Sequence, residues 1–430
     1  MGERPYEALK KKNLELSALD VREKGAVCRA LPVKVTLNNT HKCNLTCPLC
    51  FKQFEPGANM SYPDMPIEVF RAVAEDLFPA ADEVALSVSG EPLAAGPIEE
   101  ELELGGRYGV NYRITTNGVF LAVDRIRRAV LENVAYLHVS MDAARKETFE
   151  RVREGARWER VLGGIRALLE ERARLGRGPE VWLNFVMMRE NIEELPDWVS
   201  LGAELGVDAL YAEHVVVPAA FSIQSLVRHR RLGARMMEEA RRRAEALGIR
   251  LHLPAPYPLP PEGEEDPPVS REEAREIVAR GGDGGGDTTP DEVAGKEEPS
   301  GGEGVPTGRG SVEGEDPSGG GEKAPRIPTP QEIWAYNARI EAGPPVPCPY
   351  AWREIWIHYD GEILCCDTPT FPHRMGNVME EKASLAWNGA PYRELRERLA
   401  SGEVFAACRH CHVVAQLSDG GDSLSFVKET

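Results

Sequence analysis

Three cysteines fall within eight residues of the segment HKCNLTCPLCF, at Cys43, Cys47 and Cys50. A structural zinc site takes four ligands and a disulfide framework takes an even number of cysteines, so three thiols satisfy neither. Iron–sulfur clusters are held by cysteine thiolates, normally one for each iron. A four-iron cluster on these three thiolates would keep one iron open to an external ligand. A zinc loop and unliganded core cysteines are the alternatives.

Five further cysteines form a second group near the other end of the chain, at Cys348, Cys365, Cys366, Cys408 and Cys411. The Cys408-x-x-Cys411 spacing suits zinc as well as iron, so a four-cysteine zinc ribbon is an alternative there. The N-terminal segment has no apolar signal core, which predicts a cytoplasmic protein with reduced thiols. We therefore expect both groups to bind metal rather than to form disulfides.

Elements that position the first group are predicted between residues 33 and 253, where short apolar runs alternate with helical stretches. This alternation predicts an α/β fold, a partial (β/α)6 barrel, with its active site at the carboxyl ends of the strands. The Cys43 loop follows the first strand and would lie at that end. The predicted strands are 33–37, 84–88, 111–115, 136–140, 181–186, 209–211 and 249–251. The predicted helices are 67–77, 124–131, 158–175, 196–205 and 232–247.

Composition divides the chain into four predicted segments: an N-terminal extension (1–32), the barrel (33–254), a linker (255–329) and a small cysteine-rich domain (330–430). The linker is rich in Pro, Gly and acidic residues and nearly free of aliphatic ones, which predicts a disordered segment with at most one short helix, at 270–279. A partner-docking segment is the alternative for the linker. In the last segment, alternation around Asp360 and Gly361 predicts a β-hairpin.

Charge and hydropathy limit the expected partners. The formal net charge is −18 and the sequence has no basic stripe, which argues against a nucleic-acid surface. No run of residues approaches the roughly 18 to 20 apolar residues that a membrane helix needs. We therefore expect neither nucleic acid nor membrane as a partner.

The Cys43-x3-Cys47-x2-Cys50 loop after a first strand resembles the signature of the radical S-adenosylmethionine enzymes. Leu49 departs mildly from the family pattern, which usually has an aromatic residue before the last cysteine. The loop after the second strand resembles the family motif that holds the methionine amino group. That loop consists of Ser89, Gly90, Glu91 and Pro92.

Three later strand ends match the family in the same order. Thr116 and Asn117 close the third strand. The resemblance implies that Ser140 and Asp142, at the end of the fourth strand, contact the ribose hydroxyls. It also implies that Arg153 binds the methionine carboxylate and that Asn184 lies where the fifth strand brackets adenine. The alternatives are a surface role for Arg153 and a core hydrogen bond for Asn184.

The cysteine-rich tail resembles the twitch form of the SPASM domain. The resemblance implies that one auxiliary 4Fe–4S cluster is bound by Cys348, Cys366, Cys408 and Cys411, with Cys365 as the alternative to Cys366. A cluster saturated by four thiolates has no open iron, which favours a role in electron transfer.

The function implied is reductive cleavage of S-adenosylmethionine to a 5′-deoxyadenosyl radical that takes hydrogen from a substrate. An external reductant such as a flavodoxin or ferredoxin is expected. A single auxiliary cluster favours dehydrogenation or similar oxidation of a small molecule. A peptide or protein maturase is the alternative within the superfamily; only about 32 residues precede the first strand, too few for a peptide-binding domain.

Two points stay open in the sequence. Asp367, Glu213 and His214 are candidate bases, by their position near strand ends or cluster ligands alone. An iron–sulfur electron carrier is the alternative from another functional class, although such a carrier has no use for Arg153 or for the residues 89–92.

Overall fold

The computed structural model describes residues 4–50, 52, 63–86, 90–215, 224–257, 259, 348–366 and 374–402. The predicted linker beyond residue 259, with its helix at 270–279, lies outside the described residues. So do the candidate site residues Ser89, Asp367, Cys408 and Cys411.

One mixed sheet runs through the described part of the chain, in the order β10-β9-β8-β1-β2-β3-β4-β5-β6-β7. Strands β8 and β1 to β7 are parallel, whereas β9 and β10 are antiparallel to their neighbours. The strands are β1 Lys34–Leu37, β2 Glu83–Leu86, β3 Asn111–Thr116, β4 Val134–Ser140, β5 Glu180–Met187, β6 Ala209–His214, β7 Arg250–His252, β8 Glu354–Ile357, β9 Glu362–Leu364 and β10 Gly376–Asn377. The predicted α/β class and the seven predicted strands are confirmed.

Helices precede, connect and follow the strands of the sheet, and those between barrel strands cover one face of it. They are α1 Glu7–Glu23, α2 Ile67–Leu77, α3 Ile98–Tyr108, α4 Asp124–Asn133, α5 Lys146–Val152, α6 Trp158–Leu175, α7 Leu195–Leu205, α8 Arg230–Leu247, α9 Ala383–Ala386 and α10 Ala390–Ala400. The five predicted helices are confirmed to within two residues at each end. α1, α3 and α5 were not predicted.

Alternate residues of each strand face the helices and form the core. Val35 and Leu37 of β1 and Val84 of β2 are fully buried there, as the period of two in a strand requires. On β3, the Tyr112 hydroxyl donates to the backbone oxygen of Glu101 in α3 at 2.5 Å. The opposite face of the sheet, here called the lumen face, carries the remaining side chains.

The predicted hairpin is confirmed, and it does not stand apart from the barrel. β8 and β9 are antiparallel around the turn that contains Asp360 and Gly361, where Gly361 has a φ of 83°. β8 also pairs in parallel with β1, with Lys34 opposite Glu354. The tail therefore extends the barrel sheet by three strands on the side of β1.

Candidate active site at the carboxyl ends of the strands

The loop that carries the three cysteines leaves the carboxyl end of β1 and is tied down on both sides. The Asn39 side chain donates to Glu101 Oε2 of α3 at 2.7 Å. The backbone nitrogen of Glu91, after β2, donates to the Lys42 oxygen at 2.8 Å. These contacts fix the backbone immediately before Cys43.

Asn117, at the end of β3, contacts the first cysteine directly. Its Nδ2 lies 3.8 Å from the Cys43 sulfur and donates to Asn44 Oδ1 at 2.9 Å. Cys43 is exposed, and Cys47 and Cys50 are half-buried. The three thiols therefore face the open end of the barrel, where a cofactor can reach them.

The three thiols are compatible with an iron–sulfur cluster. Among the described residues, no three Cys, His, Asp or Glu side chains converge closely enough to hold one ion. In a cluster each thiolate binds a different iron, so convergence on one point is not required. Burial raises the pKa of Cys47 to about 11, and the Arg153 charge only partly opposes it. A neutral thiol is a poor ligand, so bound iron would stabilise the thiolate form.

Gly90 lies against the cysteine loop. A Cβ at this position would stand 2.4 Å from the Thr40 oxygen and 2.8 Å from the Lys42 oxygen. Only glycine tolerates so close a backbone approach. The close approach at Gly90 is therefore to the protein's own Cys43 loop.

Glu91 is buried and bound by donors from the protein itself. Its Oε1 accepts from Thr116 Oγ1 at 2.6 Å and from the Leu93 nitrogen at 3.2 Å, and its Oε2 accepts from the Asn117 nitrogen at 2.7 Å. Burial raises the pKa of Glu91 to about 7, while these donors oppose the shift. Glu91 thus joins the loop after β2 to the end of β3, and Pro92 begins a short 3₁₀ turn behind it. Contact of this carboxylate with an ammonium group stays a prediction.

Asp142 and Arg153 form an ion pair, with 2.5 Å between Arg153 Nη2 and Asp142 Oδ2. The other carboxylate oxygen of Asp142 accepts from the Val186 nitrogen at 2.8 Å. Arg153 caps the C-terminal end of α5 and also influences the pKa of Cys47. The pair therefore links the ends of β4 and β5 to the side of the cysteine loop.

Three polar side chains stand side by side on the lumen face of neighbouring strands. Ser140 of β4 is opposite Asn184 of β5, and Asn184 is opposite Tyr211 of β6. Ser140 is buried, whereas Asn184 and Tyr211 are half-buried. The row offers a hydroxyl, an amide and a phenol to a ligand in the lumen.

Glu213 comes two residues after Tyr211, on the same face of β6, and its side chain is exposed at the open end of the barrel. The Tyr211 hydroxyl lies 3.5 Å from Glu213 Oε2. Partial desolvation by the surrounding protein and the nearby Asp142 charge raise the pKa of Glu213, while Arg153 opposes them. Its carboxylate is therefore close to the Asp142–Arg153 pair.

His214 follows Glu213 and therefore points to the other face of β6. Its ring stacks on Tyr257, with 4.1 Å between the ring centroids, and its Nε2 lies 3.1 Å from the Ala255 oxygen. Burial lowers the pKa of His214. Its contacts in the structure are with the chain after β7 and not with the lumen.

Two protein-family models match this chain, and their ranges contain the cysteine groups described above. The Radical SAM superfamily model matches residues 37–202, which contain the cysteine loop and the ends of β2 to β5. Residues 37–202 therefore form a radical S-adenosylmethionine domain. The model of SPASM, an iron–sulfur cluster-binding domain, matches residues 348–412. These domains imply 4Fe–4S clusters and S-adenosylmethionine as the cofactors.

Curated relatives match part of the length of the chain. A probable GTP 3′,8-cyclase of Saccharolobus islandicus (strain M.14.25 / Kamchatka #1) is 31% identical over 182 residues, which are 42% of this chain and 55% of that protein. A PqqA peptide cyclase of Gluconobacter oxydans is 29% identical over 190 residues, 43% of this chain and 49% of that protein. The chain spans about half the length of these relatives.

Solved structures share the fold over most of the chain. Streptococcus suis SuiB bound to S-adenosylmethionine has a TM-score of 0.55 at 12% identity, covering 97% of this chain and 79% of SuiB. The anSMEcpe protein with bound AdoMet has a TM-score of 0.52 at 14% identity, covering 90% of this chain and 85% of that protein. At these identities the likeness concerns the fold.

The described part of the SPASM domain contains three of its cysteines. Cys365 is buried and Cys366 and Cys348 are half-buried, with 3.8 Å between the sulfurs of Cys365 and Cys366. Both neighbouring thiols influence the pKa of Tyr392, which burial holds well above its usual value. The assignment of Cys366 rather than Cys365 as the ligand stays a prediction, as does the role of Cys408 and Cys411.

Two residues on the lumen face were not identified as candidates from the sequence. Arg113 lies between apolar residues of β3, and His138 occupies a similar place on β4. The sequence signal that could have identified them is a charged or titratable residue inside a strand that is otherwise apolar. Such a side chain is buried only when it has a partner, so it indicates a polar contact within the protein. Both residues face the same lumen as Asn184.

Proposed function

We propose that this protein cleaves S-adenosylmethionine reductively and removes a hydrogen atom from its substrate. In this proposal Cys43, Cys47 and Cys50 hold a 4Fe–4S cluster with one open iron. When bound, the cluster and S-adenosylmethionine supply a 5′-deoxyadenosyl radical. An external reductant, a flavodoxin or ferredoxin of the cytoplasm, supplies the electron.

The observation that carries the proposal is the meeting of three elements at one end of the barrel. Asn117 joins the cysteine loop and the Glu91 loop by hydrogen bonds. The Arg153 charge of the Asp142–Arg153 pair acts on the Cys47 thiol of the cysteine loop. An electron carrier needs only the cluster ligands. A fixed guanidinium beside two of the thiols suits a bound carboxylate, as the methionine part of the cofactor requires.

The roles of the remaining cofactor contacts follow their positions. Ser140 and Asn184 on the lumen face would contact the nucleoside, and Asp142 would orient Arg153. Glu91 and Asn117 would position the cysteine loop from the side of β3. The lumen itself would exclude water from a reactive intermediate.

We propose that the reaction is a dehydrogenation or similar oxidation of a small molecule. Loss of one hydrogen atom leaves a substrate that must still lose one electron and one proton. An auxiliary cluster held by Cys348, Cys366, Cys408 and Cys411 would take the electron. Of the two candidate bases that the structure describes, Glu213 and His214, the geometry favours Glu213, because its carboxylate is on the lumen side and its pKa is raised.

A peptide maturase is the second candidate. The name of one curated relative, PqqA peptide cyclase, supports it, and SuiB has been solved bound to its precursor peptide. The name of the other relative, a GTP cyclase, supports a small-molecule substrate. The two candidates share the cofactor chemistry and differ in what enters the lumen.

Anaerobic reconstitution with iron, sulfide, reductant and S-adenosylmethionine tests the shared chemistry, with 5′-deoxyadenosine as the product measured. The Cys43/Cys47/Cys50→Ala variant is expected to form none. Cys28→Ala is the matched control, because this cysteine belongs to neither predicted ligand group, its thiol is buried, and burial raises its pKa to about 12. A wild-type protein that binds iron but forms no 5′-deoxyadenosine contradicts the proposal.

The auxiliary role needs a second variant, Cys408→Ala/Cys411→Ala. It is expected to keep cofactor cleavage, because the first cluster is intact, and to lose substrate turnover. Full substrate turnover by this variant would exclude the electron-transfer role of the auxiliary cluster.

A further inference from the structure

A continuous series of polar contacts crosses the lumen face from the SPASM strand to β5. Lys34 Nζ of β1 lies 3.0 Å from Glu354 Oε1 of β8 and 3.9 Å from Glu83 Oε1 of β2. Arg113 of β3 continues the series, with 3.1 Å between its Nη2 and Glu83 Oε2. The Arg113 guanidinium also lies over the Tyr136 ring, 4.6 Å from its centroid. Arg113 is therefore fixed from two sides.

The last two contacts of the series define the protonation of one histidine. Arg113 Nη1 lies 2.9 Å from His138 Nε2, and His138 Nδ1 lies 3.1 Å from Asn184 Oδ1. A guanidinium is always protonated and can only donate, so Nε2 must be the acceptor. The proton of the neutral ring is then on Nδ1, which donates to the Asn184 oxygen.

The surroundings of His138 favour this neutral form. Burial, followed by the Arg113 charge, lowers the pKa of His138 to about 4, and the hydrogen bond to Asn184 and the carboxylates of Glu83 and Glu180 only partly oppose them. The ring also packs against Trp182, with 5.1 Å between the centroids. The imidazole is thus held in one orientation as well as in one tautomer.

The consequence falls on the Asn184 amide. Its oxygen is directed at His138, so its nitrogen, with two N–H donors, is turned away from the ring. Among the described residues no hydrogen-bond partner accompanies Nδ2, and the side chain is half-buried on the lumen face between Ser140 and Tyr211. An amide that is free to flip presents either a donor or an acceptor, whereas this one presents only donors.

We propose that Arg113 and His138 are positioning residues that fix the Asn184 amide as a hydrogen-bond donor to an acceptor atom of S-adenosylmethionine in the lumen. This inference rests on the proposed function for the identity of the ligand. The orientation itself depends only on the contacts among the three side chains.

The first experiment reads the orientation without any catalysis. Long-range proton–nitrogen NMR of histidine-labelled, reconstituted protein in its oxidised state distinguishes the tautomers, and the His138 signal is the one that is lost in His138→Phe. The expected signal at neutral pH has its proton on Nδ1. A proton on Nε2, or a doubly protonated ring, overturns the proposed positioning of Asn184 by Arg113 and His138. Either result leaves the proposed function intact.

The second experiment measures the dissociation constant of S-adenosylmethionine by equilibrium dialysis. Asn184→Asp keeps the acceptor for His138 but removes both donors, and it is expected to weaken binding about tenfold, as the loss of one hydrogen bond allows. His138→Phe keeps a ring beside Trp182 but frees the amide, and a smaller loss of about two- to fivefold is expected. His138→Gln supplies one acceptor and one donor, so it should restore affinity to near the wild-type value.

The outcomes separate the two levels of inference. Unchanged affinity in Asn184→Asp overturns the ligand assignment while the wild type still binds the cofactor. Equal loss in His138→Phe and His138→Gln overturns the positioning role, because a purely structural effect would not be rescued. A wild-type protein that binds no S-adenosylmethionine overturns both this inference and the proposed function.

Discussion

Asn117 links the cysteine loop to the end of β3 through its backbone and its side chain. Its nitrogen donates to Glu91, its Nδ2 donates to Asn44, and its Oδ1 accepts from the Val119 nitrogen at 3.0 Å. Asn117→Ala is expected to cost about 1–2 kcal/mol of stability, because the Val119 backbone nitrogen and the Asn44 side-chain oxygen lose their partners. It should also lower the iron bound per chain after reconstitution. Iron and sulfide analysis beside Asn133→Ala, a half-buried asparagine on α4, is the measurement; equal iron in both variants would contradict the linking role.

Glu101 makes the stability of the apoprotein depend on pH. It is fully buried, and burial raises its pKa to about 8, while the hydrogen bond from Asn39 opposes the shift. Because the folded state binds this proton more tightly than the unfolded state, Glu101 contributes most stability at low pH. That contribution is lost between about pH 4.5 and 8, and the loss is of the order of a few kcal/mol.

Glu101→Gln tests this dependence, since the amide oxygen can still accept from Asn39 and carries no charge. Urea unfolding at pH 6 and pH 9 should show a smaller fall in stability for the variant than for the wild type. Two parallel pH profiles would rule out Glu101 as the titrating group.

At the scale of elements, five of the barrel helices were predictable from their apolar spacing, whereas α1 was not. The side of α1 that packs against the protein is polar and consists of Lys10, Asn13, Ser17 and Asp20. Lys10 Nζ donates to the Phe78 oxygen at 2.6 Å, and Asn13 Nδ2 donates to the Ala80 oxygen at 3.0 Å. These carbonyls follow α2, so α1 satisfies backbone groups that the end of a helix leaves unpaired. A hydrophobic period cannot reveal such a contact.

The candidate site also contains parts that were predictable from the sequence and contacts that were not. The cysteine loop and the Glu91 loop were visible in the sequence because their residue types are rare in that spacing. The lumen pairing of His138 with Asn184 depends on the register of β4 and β5, in which Ser140 is opposite Asn184. Register between parallel strands that are distant along the chain leaves no local pattern, so these contacts required the structure.

The pairing of β8 with β1 is the element-level contact with the clearest energetic consequence. Glu354 is buried, accepts from Thr36 Oγ1 at 2.7 Å and pairs with Lys34. Glu354→Ala is expected to destabilise the protein by about 1–3 kcal/mol, because the buried Thr36 hydroxyl loses its acceptor and Lys34 loses the nearer of its two carboxylates. Chemical denaturation measures the change.

A matched control exists on the neighbouring strand of the same hairpin. Glu362 of β9 pairs with Arg374, whose side chain is 69% exposed. Such exposed pairs contribute little, so Glu362→Ala should change stability by less than about 0.5 kcal/mol. Similar losses of stability in the two variants would show that the contacts of Glu354 between β8 and β1 stabilise the protein no more than an exposed ion pair does.

In the whole molecule, the N-terminal segment and the SPASM tail hold each other. The indole nitrogen of Trp352 donates to the Gly25 oxygen at 2.8 Å, and that of Trp387 donates to the Ala30 oxygen at 2.9 Å. Arg396, fully buried, donates to the Ala26 and Ala351 oxygens at 3.2 and 2.7 Å. Two segments that are far apart in the chain therefore share one core.

No helix among the described residues has the length and apolar composition to span a membrane.

This shared core predicts that the tail stays bound when the chain is cut. A specific protease site placed in the acidic segment, for example near residue 300, would divide the chain into a fragment that contains β1 to β7 and a fragment that contains Cys348 and β8 to β10. The fragments are expected to co-elute in size-exclusion chromatography, because β8 remains hydrogen-bonded to β1 and Ser384 Oγ remains bound to Asp76 Oδ1 at 2.7 Å. Urea should then separate them in the same transition that unfolds the barrel, since loss of β8 exposes the edge of β1. Fragments that separate without denaturant would show that the SPASM tail is an independent domain, and the electron path between the two proposed clusters would then depend on the intact chain.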